Sequence, residues 1–447
     1  MSQTTQQLTG LAESLVALAR KKGADEVEIE ISQGKDFSVE VRNGEIEKLE
    51  QAGTRGLSIR LLKDQKTAVV NSSDFKHETL NHLIENAVKR AQISSPDPFA
   101  GLPEFDPDTQ LLDPSFNATL EIYDPEIETL TPQQKIELAK KTESIALQDE
   151  RVVNSYGSSF GNYSGEVILI NSKGFSGSYQ KSSCSLGVYL QAGVGDNKVE
   201  SGWYESSLYF QQLWKPEQIA EKAVQRVTRM INPQKVKTQN VPVVLEPPMT
   251  RGLLYFLYQC VNGRSIYMKQ SFLLDRLQQK IANANVSVID DGLIPRGMGT
   301  KPFDGEGVPV RKNVVIDNGV LKTYLTDTYS ARKLKMKSTG NASGANNFYL
   351  EAGQFTPEDI IKSVDRGLLL TKTMGQGTNP VTGDISRGAF GIWIENGELS
   401  FPVAEITISG NLAQMLNQIE MVGNDLRFNS SITGPTIKVA EMTVSGI

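Results

Sequence analysis

Both histidines of the sequence lie in one six-residue run, His77-Glu78-Thr79-Leu80-Asn81-His82. Hydrolytic zinc chemistry wants two imidazoles on one face and a carboxylate to activate the metal-bound water. The spacing works against it. Histidines at i and i+4 stand about 40° apart on an ideal helix, whereas His77 and His82, at i and i+5, stand about 140° apart. The apolar stripe Leu80, Leu83, Ile84, Ala87, Val88 and Ala91 marks the buried side, which puts His77 at its margin and His82 toward solvent. No glycine separates them to permit a break. The run reads as an exposed face of a helix starting near Asp74, with Ser73 and Asp74 as capping candidates. An autonomous metallopeptidase built on His77, Glu78 and His82 is the rival reading.

The two cysteines offer little more. Cys184 sits in the strand-like Ser182-Ser183-Cys184-Ser185-Leu186, and Cys260 ends the apolar helical run Leu253-Leu254-Tyr255-Phe256-Leu257-Tyr258-Gln259-Cys260. Neither has a nearby His or Cys to lower its pKa, so both are expected to be buried structural thiols. Gly375-Gln376-Gly377 and Gly297-Met298-Gly299 do not extend to a dinucleotide fingerprint, and turn chemistry accounts for them better. No spacing singles out a pair of carboxylates.

The 447 residues suggest two or three domains. A hydrophobic fraction of 39% with 22% charged residues argues against disorder. The 46 Lys+Arg against 52 Asp+Glu leave a net charge of −6 and no basic block, which excludes an evident nucleic-acid surface. The polar N-terminus lacks the pattern of a signal peptide. The longest apolar stretch, residues 253–261, falls short of the roughly 20 residues a membrane span needs. A cytoplasmic protein with no membrane contact is expected.

The elements that would position these residues read as α+β. Leu11, Leu15, Leu18 and Lys22 fall at helical spacing, closed by Gly23. Alternation follows in Val27, Ile29 and Ile31, then in Phe37, Val39 and Val41, and Asn43-Gly44 marks a hairpin. Leu57, Ile59 and Leu61 continue the sheet. Seven prolines, Pro96, Pro98, Pro103, Pro107, Pro114, Pro125 and Pro132, make residues 96–132 read as an extended connection. Helices are expected from Pro132 to about Gln148, over 216–230 and over 411–421, and strands over 166–170, 186–192 and 436–444. Two similar Asn-Gly hairpins, at residues 315–321 and 393–399, punctuate the last part. The predicted architecture is an N-terminal α/β sandwich-like region with a mixed or antiparallel sheet, followed by a β-rich C-terminal domain. Its parts are 1–95 and 133–235 for the N-terminal domain, 96–132 for the connection and 236–447 for the C-terminal domain.

Several co-linear motifs carry a resemblance. They are Asp327-Thr328-Tyr329-Ser330-Ala331-Arg332-Lys333-Leu334, Lys337-Ser338-Thr339-Gly340-Asn341-Ala342, Pro302-Phe303-Asp304-Gly305-Glu306-Gly307-Val308 and Thr382-Gly383-Asp384-Ile385-Ser386-Arg387-Gly388-Ala389. With Ile406-Thr407-Ile408-Ser409-Gly410-Asn411-Leu412 and Val422-Gly423-Asn424-Asp425-Leu426, the chain resembles the PmbA/TldE branch of the TldD/PmbA family along essentially its whole length. The resemblance implies a peptidase system, under the older label of modulator of DNA gyrase. TldD-type members carry an H-E-x-x-x-H zinc motif completed by a cysteine near the C-terminus, and pair with a PmbA/TldE-type subunit to cleave short or unfolded peptides in an enclosed cavity.

Carried over residue by residue, that motif falls on Tyr255, Phe256 and Cys260, and residues 427–434 hold no cysteine. His77, Glu78 and His82 lie about 180 residues too early. The resemblance therefore implies a metal-free subunit that shapes a peptide chamber, with zinc in a TldD-type partner and a homodimer as the alternative when that partner is absent. Arg332, Lys333, Asn341, Asp384 and Arg387 are candidates for cavity or interface contacts, against a simple role in turns and loops. A non-enzymatic regulatory partner, as the gyrase label suggests, is the second rival.

Overall fold

A computed structural model describes residues 3–105 and 114–446. Helix α1 (Gln3–Lys21) ends at Gly23, whose φ of 97° suits a residue without Cβ. Strand β1 (Glu26–Arg42) joins the two expected alternating segments into one, because Val27, Ile29, Ile31, Phe37, Val39 and Val41 share a parity and a buried face. It turns at Asn43-Gly44, with φ of 51° and 77°, into β2 (Glu45–Lys63) and then β3 (Lys66–Ser72). Helix α2 (His77–Ile93) starts three residues later than expected. Asp74 does not occupy its N-cap; its carboxylate instead accepts from the Lys76 N–H and the Thr79 hydroxyl.

The proline-rich stretch departs from expectation. It carries α3 (Pro114–Thr119) and α4 (Glu126–Thr129), and Leu102, Leu120, Ile122 and Ile127 are buried. Proline tolerates the first turn of a helix, where its missing N–H has no partner to lose. Pro107 lies outside the described residues.

Helix α5 (Pro132–Ala146) opens on the capping box Thr131/Gln134. Strands β4 (Val152–Asn171) and β5 (Ser176–Ala192) run far beyond their apolar segments. Their extra length is rich in Gly and Ser, which hides the alternation, yet Ser158, Ser164 and Ser182 point inward and are hydrogen-bonded. With β6 (Val199–Ser207) they complete a six-stranded antiparallel sheet in the order β3-β2-β1-β4-β5-β6. Helices α1 and α2 cover one half of its buried face; α5 and α6 (Pro216–Thr228) cover the other.

The remaining chain builds two further sheets around the central helix α7 (Pro247–Val261). It comprises β7 (Gln239–Leu245), α8 (Gly263–Tyr267), β8 (Val288–Asp291), β9 (Lys312–Asp317), β10 (Val320–Leu321), α9 (Thr328–Leu334), β11 (Phe348–Leu350) and α10 (Pro357–Lys362). Then come β12 (Arg366–Met374), β13 (Asp384–Glu395), β14 (Glu398–Asn411), α11 (Leu412–Asn417), β15 (Ile419–Val422), β16 (Ile432–Thr433) and β17 (Ile437–Ser445). One sheet runs β10-β9-β8-β11-β16; the other runs β14-β13-β12-β7-β17-β15, and a β14–β17 pairing closes it like a barrel. The two Asn-Gly hairpins fall in different sheets, so their likeness is local turn chemistry. Helix α11 stops four residues early because Ile419–Val422 is taken as a strand beside β17.

Candidate functional site

Helix α7 is entered through Glu246, with Pro247 in its first turn. Its 3.6-residue period puts Phe256 and Cys260 on one face, and both are sealed in the core, at 2% and 0% exposure. Tyr255 turns the other way and is 54% exposed. Burial pushes the Cys260 thiol up to about 12, so it stays protonated at neutral pH. Cys184, also buried, is pushed up to about 12 by burial and by the nearby Asp124. His77, Glu78 and His82 lie exposed on α2. Among the described residues, no group of three or more His, Cys, Asp or Glu is arranged to hold a metal ion.

A cavity of about 960 Å³ opens where the N-terminal sheet meets the first turn of α7. Its size is that of ligand sites in general. Its lining comes from β4, β5, β6, α6, α7, α10, β12, β14 and the segment between β15 and β17. That last segment contributes Arg427, Asn429 and Thr433, from the stretch where the sequence places no cysteine. It touches α7 directly: a Cβ on Gly434 would stand 2.6 Å from Thr250 Cγ2 and 2.8 Å from Leu254 Cδ1, so any side chain there would have to displace those methyls.

Two carboxylates organise the cavity. Glu246 Oε2 accepts from Arg226 Nη1 at 2.7 Å, and its Oε1 lies 2.7 Å from Arg229 Nη2. Arg226 and Arg229 sit three apart at the end of α6 and reach the same acid. Glu205, 2% exposed, accepts from Arg427 Nη1 at 2.8 Å, Asn429 Nδ2 at 3.1 Å and Trp203 Nε1 at 3.1 Å. Arg226 lies 5.1 Å from the Trp203 ring centre and Arg427 lies 4.5 Å from that of Trp214, within cation–π range. The two indoles stack at 6.3 Å. Burial holds the Lys222 ammonium below its ordinary value. The wall is thus aromatic and guanidinium-rich, with its inner carboxylates already paired. It can hold an extended chain and an anionic group, but it presents no nucleophile–base pair.

The expected site residues are dispersed. Arg332 donates to three carbonyls, those of Phe99, Gly101 and Leu102, at 3.1, 3.0 and 2.7 Å. Lys333 caps the Phe99 ring at 4.0 Å. Both tie α9 to residues 99–102. Asn341 is buried and donates to Asp290 at 2.8 Å. Asp384 accepts from Thr382 and Asn411 on the surface. Arg387 and Phe256 line a small space of about 60 Å³, and the buried Arg387 Nε finds no acceptor among the described residues. Trp203, Trp214, Glu205, Glu246, Arg226 and Arg229 escaped the sequence reading. The signal available was two of three tryptophans close in sequence, followed by arginines at helical spacing.

Residues 238–446 match the PmbA/TldA metallopeptidase C-terminal domain, 125–231 its central domain and 27–91 its domain 1. A metalloprotease PmbA homolog of Haemophilus influenzae is 36% identical over 99% of this chain and 96% of its own. A metalloprotease TldD homolog of a Buchnera aphidicola strain also matches, at 26% over 72% of this chain and 75% of its own. Among solved structures, a Bacteroides thetaiotaomicron protein described as a modulator of DNA gyrase superposes with a TM-score of 0.90, at 30% identity and with both chains fully covered. TldE from Thermococcus kodakarensis superposes with a TM-score of 0.83, at 26% identity over 98% of this chain and 100% of its own.

Proposed function

This chain belongs to the PmbA/TldD metallopeptidase family, and we propose that it serves there as a metal-free subunit that shapes a peptide chamber beside a zinc-bearing TldD-type partner. The observation that carries the reading is the content of the motif positions. Zinc needs a set of nitrogen, sulfur or oxygen donors converging on one point. Phe256 has no donor atom, Cys260 is a protonated thiol in the core and Tyr255 faces away from both. These residues do not fit the ion. Matches to both TldD-type and TldE-type relatives support a paired system.

The chain's own contribution would be to hold peptide. Main-chain hydrogen bonding to an added strand is indifferent to sequence, which suits unfolded or short substrates. None of the described helices is long and apolar enough to cross a membrane; we place the activity in the cytoplasm. The test is to assay cleavage of an unstructured peptide by this chain alone, by a TldD-type protein alone and by the mixture. Activity in the mixture beyond that of either component is expected. Equal activity from this chain alone, abolished by His77→Ala and His82→Ala, would establish the autonomous metallopeptidase instead.

A further inference from the structure

We propose that the cavity between β6, α6 and the first turn of α7 selects peptides by a carboxylate, so that acidic chains are its preferred occupants. The occupant being a peptide rests on the chamber reading above; its charge is argued from the cavity itself. Lys222, Arg226, Arg229, Arg251, Lys372 and Arg427 line it against the carboxylates of Glu246, Glu358 and Asp425, with Glu205 behind. The chain as a whole carries −6. A positive pocket on a negative molecule is a local arrangement that focuses anions where the rest of the surface repels them.

Which cations are free decides where the carboxylate goes. Arg226 and Arg229 share Glu246, and Arg427 is held by Glu205. Lys222, Arg251 and Lys372 hydrogen-bond only to neutral groups among the described residues, although the Glu246 carboxylate acts on Lys222 from a distance. Lys222 Nζ donates to Gln225 Oε1 at 3.2 Å, Arg251 Nη1 to the Tyr204 hydroxyl at 3.0 Å and Lys372 Nζ to the Tyr189 hydroxyl at 3.1 Å. Of the carboxylates, Glu246 and Glu205 are held by arginines. Asp425 accepts only from the neutral Thr436 N–H and hydroxyl, at 2.8 and 2.7 Å, and Glu358 is exposed. Three cations thus face two carboxylates without a cationic partner among the described residues, and the balance favours an acidic ligand.

The cavity also suits extended chain. β6 is the outer strand of its sheet, and consecutive residues Trp203 and Tyr204, which point to opposite faces, both line the space. Val188 and Tyr189 of β5 and Ser159 of β4 line it too, so the cavity spans the sheet from β4 to the β6 edge. The indoles of Trp203 and Trp214 give apolar side chains a surface, while an acid on the same peptide reaches Arg251 or Lys372 through charge-assisted bonds.

The carboxylate could come from a chain terminus or from Asp and Glu side chains. The experiment uses this chain alone and reads the fluorescence anisotropy of a labelled peptide ending in glutamates, with tryptophan quenching as a second signal. Its companions are the same peptide amidated at the C-terminus, a glutamine version with a free terminus and a lysine version. Loss of affinity on amidation assigns the terminal carboxylate; loss with glutamine assigns the side chains. Arg251→Ala and Lys372→Ala should each weaken binding about tenfold, as expected for a contact to a charged group. Lys89→Ala, on the exposed side of α2 over the half of the sheet away from β6, should leave it unchanged. Lys372→Glu should shift preference toward the lysine peptide. Binding that is equal for all four peptides, absent for all four, or indifferent to Arg251 and Lys372 would overturn the proposal. Because no cleavage and no partner is involved, such a failure is separate from the outcome of the mixing assay.

Discussion

At the scale of single residues, the contrast within α7 is the informative one. Phe256 and Tyr255 are adjacent in sequence, yet the first is enclosed by the core and the second meets solvent. Phe256→Ala should destabilise the chain by about 3–5 kcal/mol, combining lost transfer energy with a cavity, whereas Tyr255→Ala should stay within about 0.5 kcal/mol. Urea denaturation of the two variants measures this, and equal losses would place α7 wrongly. A motif match cannot distinguish these positions, since it assigns letters and leaves burial open. The helical period does distinguish them, and it shows that Phe256 and Cys260 serve packing.

At the scale of elements, Arg332 acts as a clamp. One guanidinium gathers three carbonyls from residues 99–102 onto the end of α9, while Lys333 beside it covers Phe99. A buried carbonyl that loses its donor carries the cost of desolvation, so Arg332→Ala should lose about 2–3 kcal/mol locally. Hydrogen exchange at the Ala100 and Leu102 amides should accelerate while β1 and β2 remain protected. Arg332→Lys should restore little, because one ammonium does not reproduce a planar fork. Unchanged exchange in the alanine variant would contradict the clamp. The same segment shows why proline content misled the reading of 96–132. Prolines mark where helices begin as well as where chain runs extended, and Leu102, Leu120, Ile122 and Ile127 supply the apolar anchors between them.

At the scale of the molecule, the N-terminal sheet and the C-terminal domain are joined through buried charge. Arg60 on β2 donates to Glu28 on β1 at 2.9 and 3.1 Å and to Glu306 of the C-terminal domain at 3.0 Å. Burial, opposed by Arg60, pushes the Glu28 carboxyl up to about 7 from its ordinary 4.5. Burial likewise raises Asp304 to about 6. Between those values the folded chain holds protons that the unfolded chain releases, so stability from these groups is greatest below about pH 4.5 and falls as pH rises toward 7. Glu28→Gln should therefore flatten the decline in urea midpoint between about pH 5 and pH 8. An unaltered slope would mean that Glu28 ionises normally in the folded state.

By itself the sequence determined the local geometry. Asn-Gly dipeptides set three hairpins, because both positions of that turn need positive φ and few other residues accept it. Apolar periodicity located α1 and α2, since burial of one face follows the helical repeat, and Pro132 marked the start of α5. Only the tertiary structure decided the rest. Gly- and Ser-rich ends of β4 and β5 are strands because neighbouring strands complete their hydrogen bonds, and Ile419–Val422 leaves the helical state for the same reason. The cavity is invisible in one dimension: Trp203, Arg226, Glu246 and Arg427 lie up to 224 positions apart, and long-range folding alone brings their charges and rings together.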